Sequence, residues 1–68
     1  MNRLYVTSTN VASVGYENNV LEVEFLNGSV YQYFDVPEEI FQHLISYPHP
    51  GTFLAHVVKG RYYYQRIR

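Results

Sequence analysis

Residues 59–68, Lys-Gly-Arg-Tyr-Tyr-Tyr-Gln-Arg-Ile-Arg, interleave four cations with three phenol rings and contain no acid. Guanidinium groups pair with phosphates and aromatic rings stack on bases, the combination that holds single-stranded nucleic acid in a groove. The candidate nucleic-acid-binding residues are therefore Arg61, Tyr62, Tyr64, Arg66 and Arg68. A structural explanation competes for the same residues. The tyrosines would pack this segment onto the body, and the arginines would answer Glu22 and Glu24 in surface pairs of about 0–1 kcal/mol each. Residues 1–58 hold a single cation, Arg3, against all six acids, so the positive charge is concentrated at one end of the chain.

Tyr31 and Tyr33 form a second aromatic surface. Two rings at alternate strand positions resemble a stacking platform on which each base contributes about 1–3 kcal/mol. The same rings also serve as ordinary cross-strand fillers. Their expected neighbours on the outer face are Glu22 and Glu24, whose charge repels phosphate.

Catalytic chemistry finds little support. There is no cysteine, which excludes thiol nucleophiles, disulfides and the common zinc frameworks. His43, His49 and His56 stand six and seven residues apart, no recognised ligand spacing on one helix, and neither a phosphate loop nor a dinucleotide fingerprint is present. The chain reads as a non-enzyme, with no cofactor and no metal site.

The elements that must position these residues are set by turns. Asn27-Gly28 lies between two alternating runs, a strong signal for a two-residue hairpin loop. That loop pairs Phe25 with Val30, Val23 with Gln32 and Leu21 with Phe34. Asn18-Asn19 supplies a second tight turn, since Asn tolerates the left-handed region. It pairs Tyr16 with Leu21, Val14 with Val23 and Ala12 with Phe25. Together the turns predict a three-stranded antiparallel meander with Phe25 central on its apolar face. Only Gln32 interrupts that face.

Pro37 then opens a helix, with Glu38 and Glu39 at the positive end of its dipole and Ile40, Phe41, Leu44 and Ile45 at helical spacing. Residues 47–51 terminate it. Thr52 is expected to cap a second short helix carrying Phe53, Leu54, Val57 and Val58, with Gly60 just beyond its end. Residues 62–67 read as a C-terminal extended segment or strand, with Tyr62, Tyr64 and Arg66 on one side. Residues 1–10 read as an entry segment. The whole is a single α+β domain spanning residues 1–68, small enough that its twelve Tyr and Phe residues must compensate for a limited core.

Several of these positions occur together in a known family. Ser8, Val11, Val14-Gly15-Tyr16, the Leu21-x-Val23-x-Phe25-x-Asn27-Gly28 hairpin, Tyr31-x-Tyr33, Val36-Pro37, Gly51-x-Phe53 and Lys59-Gly60-Arg61-Tyr62 make the chain resemble the KTSC domain family. That family takes its name from the carboxyl end of some lysyl-tRNA synthetases and also occurs as a free-standing bacterial protein. The resemblance implies a small domain covering nearly the whole chain, with RNA binding proposed from the synthetase context. One departure is plain: the family tends to carry a Ser shortly before the glycine equivalent to Gly51, where this chain has His49-Pro50.

The functional expectation is a small binding module that contacts RNA weakly through the basic-aromatic segment. The alternative is a protein-interaction or self-association module using the tyrosine-rich surface. No apolar run is long enough to span a membrane, and no signal-peptide pattern is evident, which makes the cytoplasm the expected location.

Overall fold

The computed structural model describes all 68 residues, Met1–Arg68. Five strands follow one another in the sheet as they do in sequence: β1 (Arg3–Tyr5), β2 (Val11–Glu17), β3 (Val20–Phe25), β4 (Val30–Tyr33) and β5 (Tyr64–Arg66). Every neighbouring pair is antiparallel. Between β4 and β5 come α1 (Glu38–Ser46) and α2 (Pro50–Phe53), the latter running on into a π-helical turn, Leu54–Val58.

This corrects the three-stranded meander. The entry segment contributes β1, and the C-terminal segment closes the other side as β5. Both occupy edges of β2 and β4 whose N–H and C=O groups would otherwise lack partners. Each is three residues long, and β1 is too short for an alternating pattern to be read from sequence, whereas the alternation of Tyr64 and Arg66 holds in β5.

The β2–β3 turn forms as its residues require, with Asn18 and Asn19 at φ 51° and 65°. Tyr16 faces Leu21 and Val14 faces Val23, as expected. A bulge at Ala12 then replaces the Ala12–Phe25 pair with Val11–Phe25. That shift puts the larger Val11, 1% exposed, into the core.

The β3–β4 hairpin differs by one residue. Phe25 N–H donates to Ser29 O at 2.9 Å and Gly28 N–H donates to Phe25 O at 2.9 Å. The loop is therefore Leu26-Asn27-Gly28, a three-residue connection with the left-handed residue, Gly28 at φ 92°, in its last position. Leu21 now faces Tyr33, Val23 faces Tyr31, and Glu22 faces Gln32. A one-residue slip turns a strand's side chains to the opposite face. Tyr31 and Tyr33 consequently lie on the apolar side, and Gln32 lies on the polar side, where its Nε2 donates to Glu22 Oε1 at 2.8 Å.

The core sits between the apolar side of the sheet and the helices. Val14, Leu21, Val23, Val36, Leu44, Leu54 and Val58 are completely enclosed, and Tyr33 and Phe53 nearly so. Phe25, expected at the centre, is only half-buried and lies at the margin. Tyr16 stacks on Phe41 with ring centres 5.2 Å apart, and its hydroxyl donates to the Val36 carbonyl, tying β2 to the start of α1. The second helix begins at Pro50, earlier than a Thr52 cap would set it. Proline tolerates a first helical turn because the N–H it lacks has no partner there. Gly51 follows because the Asn10 side chain occupies the space a Cβ would need.

Candidate nucleic-acid interface

The polar side of the sheet is an ion-paired surface. Arg3 crosses it above Gly15, where an added Cβ would stand 2.9 Å from Arg3 Cγ and 2.8 Å from Asn2 O. From there Arg3 Nε reaches Glu22 Oε2 at 3.4 Å and Nη1 approaches Glu24 Oε1 at 3.6 Å. Ser13 Oγ donates to Glu24 Oε1 at 2.9 Å, and Arg68 Nη2 pairs with Glu24 Oε2 at 3.2 Å. With Gln32 on Glu22, four side chains thus engage Glu22 and Glu24. Arg68, an expected RNA contact, faces this surface.

The other cations of the basic segment have no acidic partner. Lys59, Arg61 and Arg66 enter no ion pair and all three are exposed. Arg66 stands opposite Tyr31 and Tyr64 opposite Tyr33, so β5 places both on the apolar side of the sheet, away from Glu22 and Glu24. Arg66 Nε donates to Arg68 O at 3.0 Å, which leaves its two terminal nitrogens unengaged. Arg61 lies in the turn after the π-helical segment, its N–H donating to Val58 O at 3.2 Å.

The helices stop short of this corner. The π-helical turn closes with Lys59 N–H donating to Leu54 O at 2.8 Å, and Gly60, at φ 79°, sends the chain back toward the sheet. A cleft of about 570 Å³ remains beneath that turn, lined by Phe25, Tyr31, Tyr33 and Tyr64 with Asn27, Ser29, Lys59 and Gly60. No carboxylate lines it. Tyr64 lies 5.8 Å from Tyr31 and from Tyr33, tilted by about 40° to each, and Phe25 meets Tyr31 edge-on at 5.6 Å. Lys59 Nζ hovers 5.4 Å from the centre of the Phe25 ring. A shallower hollow continues past Arg61 and Tyr63 to Arg66, again without an acid.

The expected site residues therefore separate. Tyr64, Arg66 and Arg61 share one surface. Tyr62 is half-buried against the core yet lines the same hollow as Arg61 and Arg66, and Arg68 serves the opposite face. Tyr31 joins Tyr64 in the cleft, whereas Tyr33, 3% exposed, forms its floor. Burial raises the Tyr33 phenol above its usual value of 10.0, and Tyr31 and Tyr64 raise it further, so it stays a neutral donor at ordinary pH. Sequence reasoning missed Lys59 and Phe25 as members of the site. The Lys59-Gly60 pair was a usable signal, because a cation beside a helix-ending glycine stands at an exposed turn.

Where the chain enters β2, beside the start of α2, Ser8, Asn10, His49 and His56 border a polar hollow. Ser8 Oγ donates to Asn10 Oδ1 at 3.1 Å and accepts from Val11 N–H at 3.2 Å, so it braces the loop before β2. His43, His49 and His56 are all exposed, and no three His, Asp or Glu side chains converge as a ligand set.

Known proteins share this architecture. The KTSC domain matches residues 7–66. An uncharacterised protein of Stutzerimonas stutzeri is 39% identical over 98% of this chain and 99% of its own length. A lysine–tRNA ligase of Trichormus variabilis is 36% identical over 69% of this chain, a stretch amounting to 8% of the ligase. The crystal structure of a KTSC domain protein from Yersinia pestis superposes with a TM-score of 0.91 at 36% identity, covering 98% of this chain and 97% of the other. The chain belongs to the KTSC domain family.

Proposed function

We propose that this KTSC domain is a non-catalytic binding module that holds single-stranded RNA weakly across its β4–β5 corner. One observation carries the reading: the three cations without acidic partners, Lys59, Arg61 and Arg66, all border acid-free hollows that also contain the accessible Tyr64 ring. Backbone phosphates pair with the cations while a base stacks on the ring, and neither contact selects a sequence. The relative named as a lysine–tRNA ligase supports a setting near tRNA. Cytoplasmic residence fits that role; no helix is long and apolar enough to cross a membrane.

Titration with tRNA and with mixed single-stranded RNA at two salt concentrations tests it. Three phosphate contacts on a single strand give a slope of log affinity against log salt of about −2. Binding that ignores salt, or no binding at low salt, would favour the competing module that meets a protein or a second copy of itself. Tyrosine and arginine serve such interfaces equally well.

A further inference from the structure

The cleft under the Lys59-Gly60 turn has features that a charged strand running across the surface does not require. Its volume of about 570 Å³ is enough for a small molecule, as are those of the other two hollows, so its lining and not its size sets it apart. The Tyr31 and Tyr64 rings touch, their centres 5.8 Å apart and inclined at 41°, so they present a tilted aromatic surface in place of a parallel stack. Tyr64 remains 54% exposed, which leaves ring surface available to a guest.

The rim adds polar groups in a fixed arrangement. Asn27 Oδ1 accepts from Ser29 N–H at 3.0 Å and from Ser29 Oγ at 2.7 Å, which uses both of its lone pairs. Only the Nδ2 donors of Asn27 are left, and Ser29 Oγ, having donated its proton, offers only acceptor lone pairs. A donor and an acceptor side by side complement the edge of a nucleobase. Lys59 stands above Phe25 with no carboxylate to hold it, free to meet an anion attached to an aromatic guest.

We propose that this cleft takes a single unstacked nucleobase, its ring laid on Tyr31 and Tyr64, its edge met by Asn27 and Ser29, and its phosphate drawn to Lys59. This deepens the RNA reading and rests on it for the ligand class, but it makes a separate claim: one nucleotide suffices for occupancy. The guest is both aromatic and anionic. An apolar peptide would leave Lys59 without a counter-charge, and an acidic peptide would leave the rings uncovered.

The test is a titration of the intact domain with adenosine monophosphate, followed through the ring and amide NMR signals, with ribose 5-phosphate as the probe that lacks a base. Adenosine monophosphate should give saturable shifts confined to Phe25, Asn27, Tyr31, Lys59 and Tyr64. Ribose 5-phosphate should bind far more weakly. Tyr64→Leu, on an exposed edge strand, should weaken the nucleotide about tenfold with the fold intact, and Lys59→Gln should narrow the gap between adenosine and its monophosphate. Equal binding of the two phosphates would overturn the inference, as would shifts centred elsewhere. If a short oligo(A) binds with the expected salt slope but the mononucleotide does not bind, the cleft assignment falls and RNA binding stands. Mononucleotide binding at these residues without oligo(A) binding supports the cleft and removes the strand-binding function. Silence from both removes both.

Discussion

Gly28 stands at φ 92° with nothing within 4 Å of the place a Cβ would take, so its requirement is conformational and not steric. Gly28→Val should cost about 1–3 kcal/mol from forcing a β-branched residue into the left-handed region, and Gly28→Asn should cost less. Urea denaturation of the two variants measures the difference. Two tyrosines also carry a residue-scale signature. Burial raises the phenols of Tyr33 and Tyr16 above 10.0, with Tyr31 and Tyr64 adding to the first and Glu38 to the second. Below pH about 10 both phenols are protonated in the folded and unfolded chain alike, and stability is independent of them. Above it the unfolded chain ionises first, so stability should fall as pH climbs toward the folded-state values. A native alkaline titration followed by phenolate absorbance should show Tyr33 and Tyr16 ionising above the usual phenol value of 10.0. Ionisation of Tyr33 and Tyr16 at the ordinary phenol value would contradict the burial assigned to them.

At the scale of elements, β4 is decided by what each register would bury. In the two-residue-loop register, Gln32 faces the core and its amide loses water without a partner, a cost of about 1–3 kcal/mol in proteins. The observed register places Tyr31 and Tyr33 on the apolar side and gives Gln32 a hydrogen bond to Glu22. Gln32→Leu should therefore leave the melting temperature unchanged or lower, where a core position would have raised it. The helical layer contributes differently along its length. Leu54 is fully enclosed under the sheet, whereas Phe25 borders the cleft. Leu54→Ala should cost about 2–5 kcal/mol, and Phe25→Ala should fall below the 3–5 kcal/mol of an enclosed phenylalanine. A Phe25→Ala loss of about 3 kcal/mol or more, measured by thermal or urea unfolding, would place Phe25 in the core after all.

In the molecule as a whole, charge on the sheet is sorted by side, with three of the six acids, Asp35, Glu38 and Glu39, standing apart around the start of α1. Glu22 and Glu24 hold Arg3 and Arg68 on the polar side, while Lys59, Arg61 and Arg66 remain unpaired around the open corner. Removing Arg61 and Arg66 together, as glutamines, should reduce the RNA salt slope by about 1.4, two contacts at 0.7 each on a single strand. Arg68→Gln should leave RNA binding nearly unaltered and lose about 0–1 kcal/mol of stability from its exposed pair with Glu24. Filter or fluorescence binding at several salt concentrations, beside the melting temperature of each variant, separates the two roles. An Arg68 variant that loses as much RNA affinity as the Arg61/Arg66 pair would mean the strand crosses the polar side.

Local features of the chain were legible from residue order because their causes are local. Asn18-Asn19 forces a left-handed turn, Pro37 with Glu38 and Glu39 marks the start of α1, and the alternation through β2 and β3 sets Tyr16 against Leu21 and Val14 against Val23. The basic-aromatic segment was equally plain, as was the strand that carries Tyr64 and Arg66 on one side. Tertiary structure decided the rest. Asn27-Gly28 satisfies either a two- or a three-residue loop, and only the packing of Tyr33 beneath the helices, with Gln32 released to Glu22, selects between them. β1 is too short to declare itself, and both β1 and β5 join the sheet because β2 and β4 offer unpaired edges. The candidate site depends on that same choice: a one-residue register, set by the cost of burying an amide, moves Tyr31 away from two carboxylates and into a cleft with Tyr64 and Lys59.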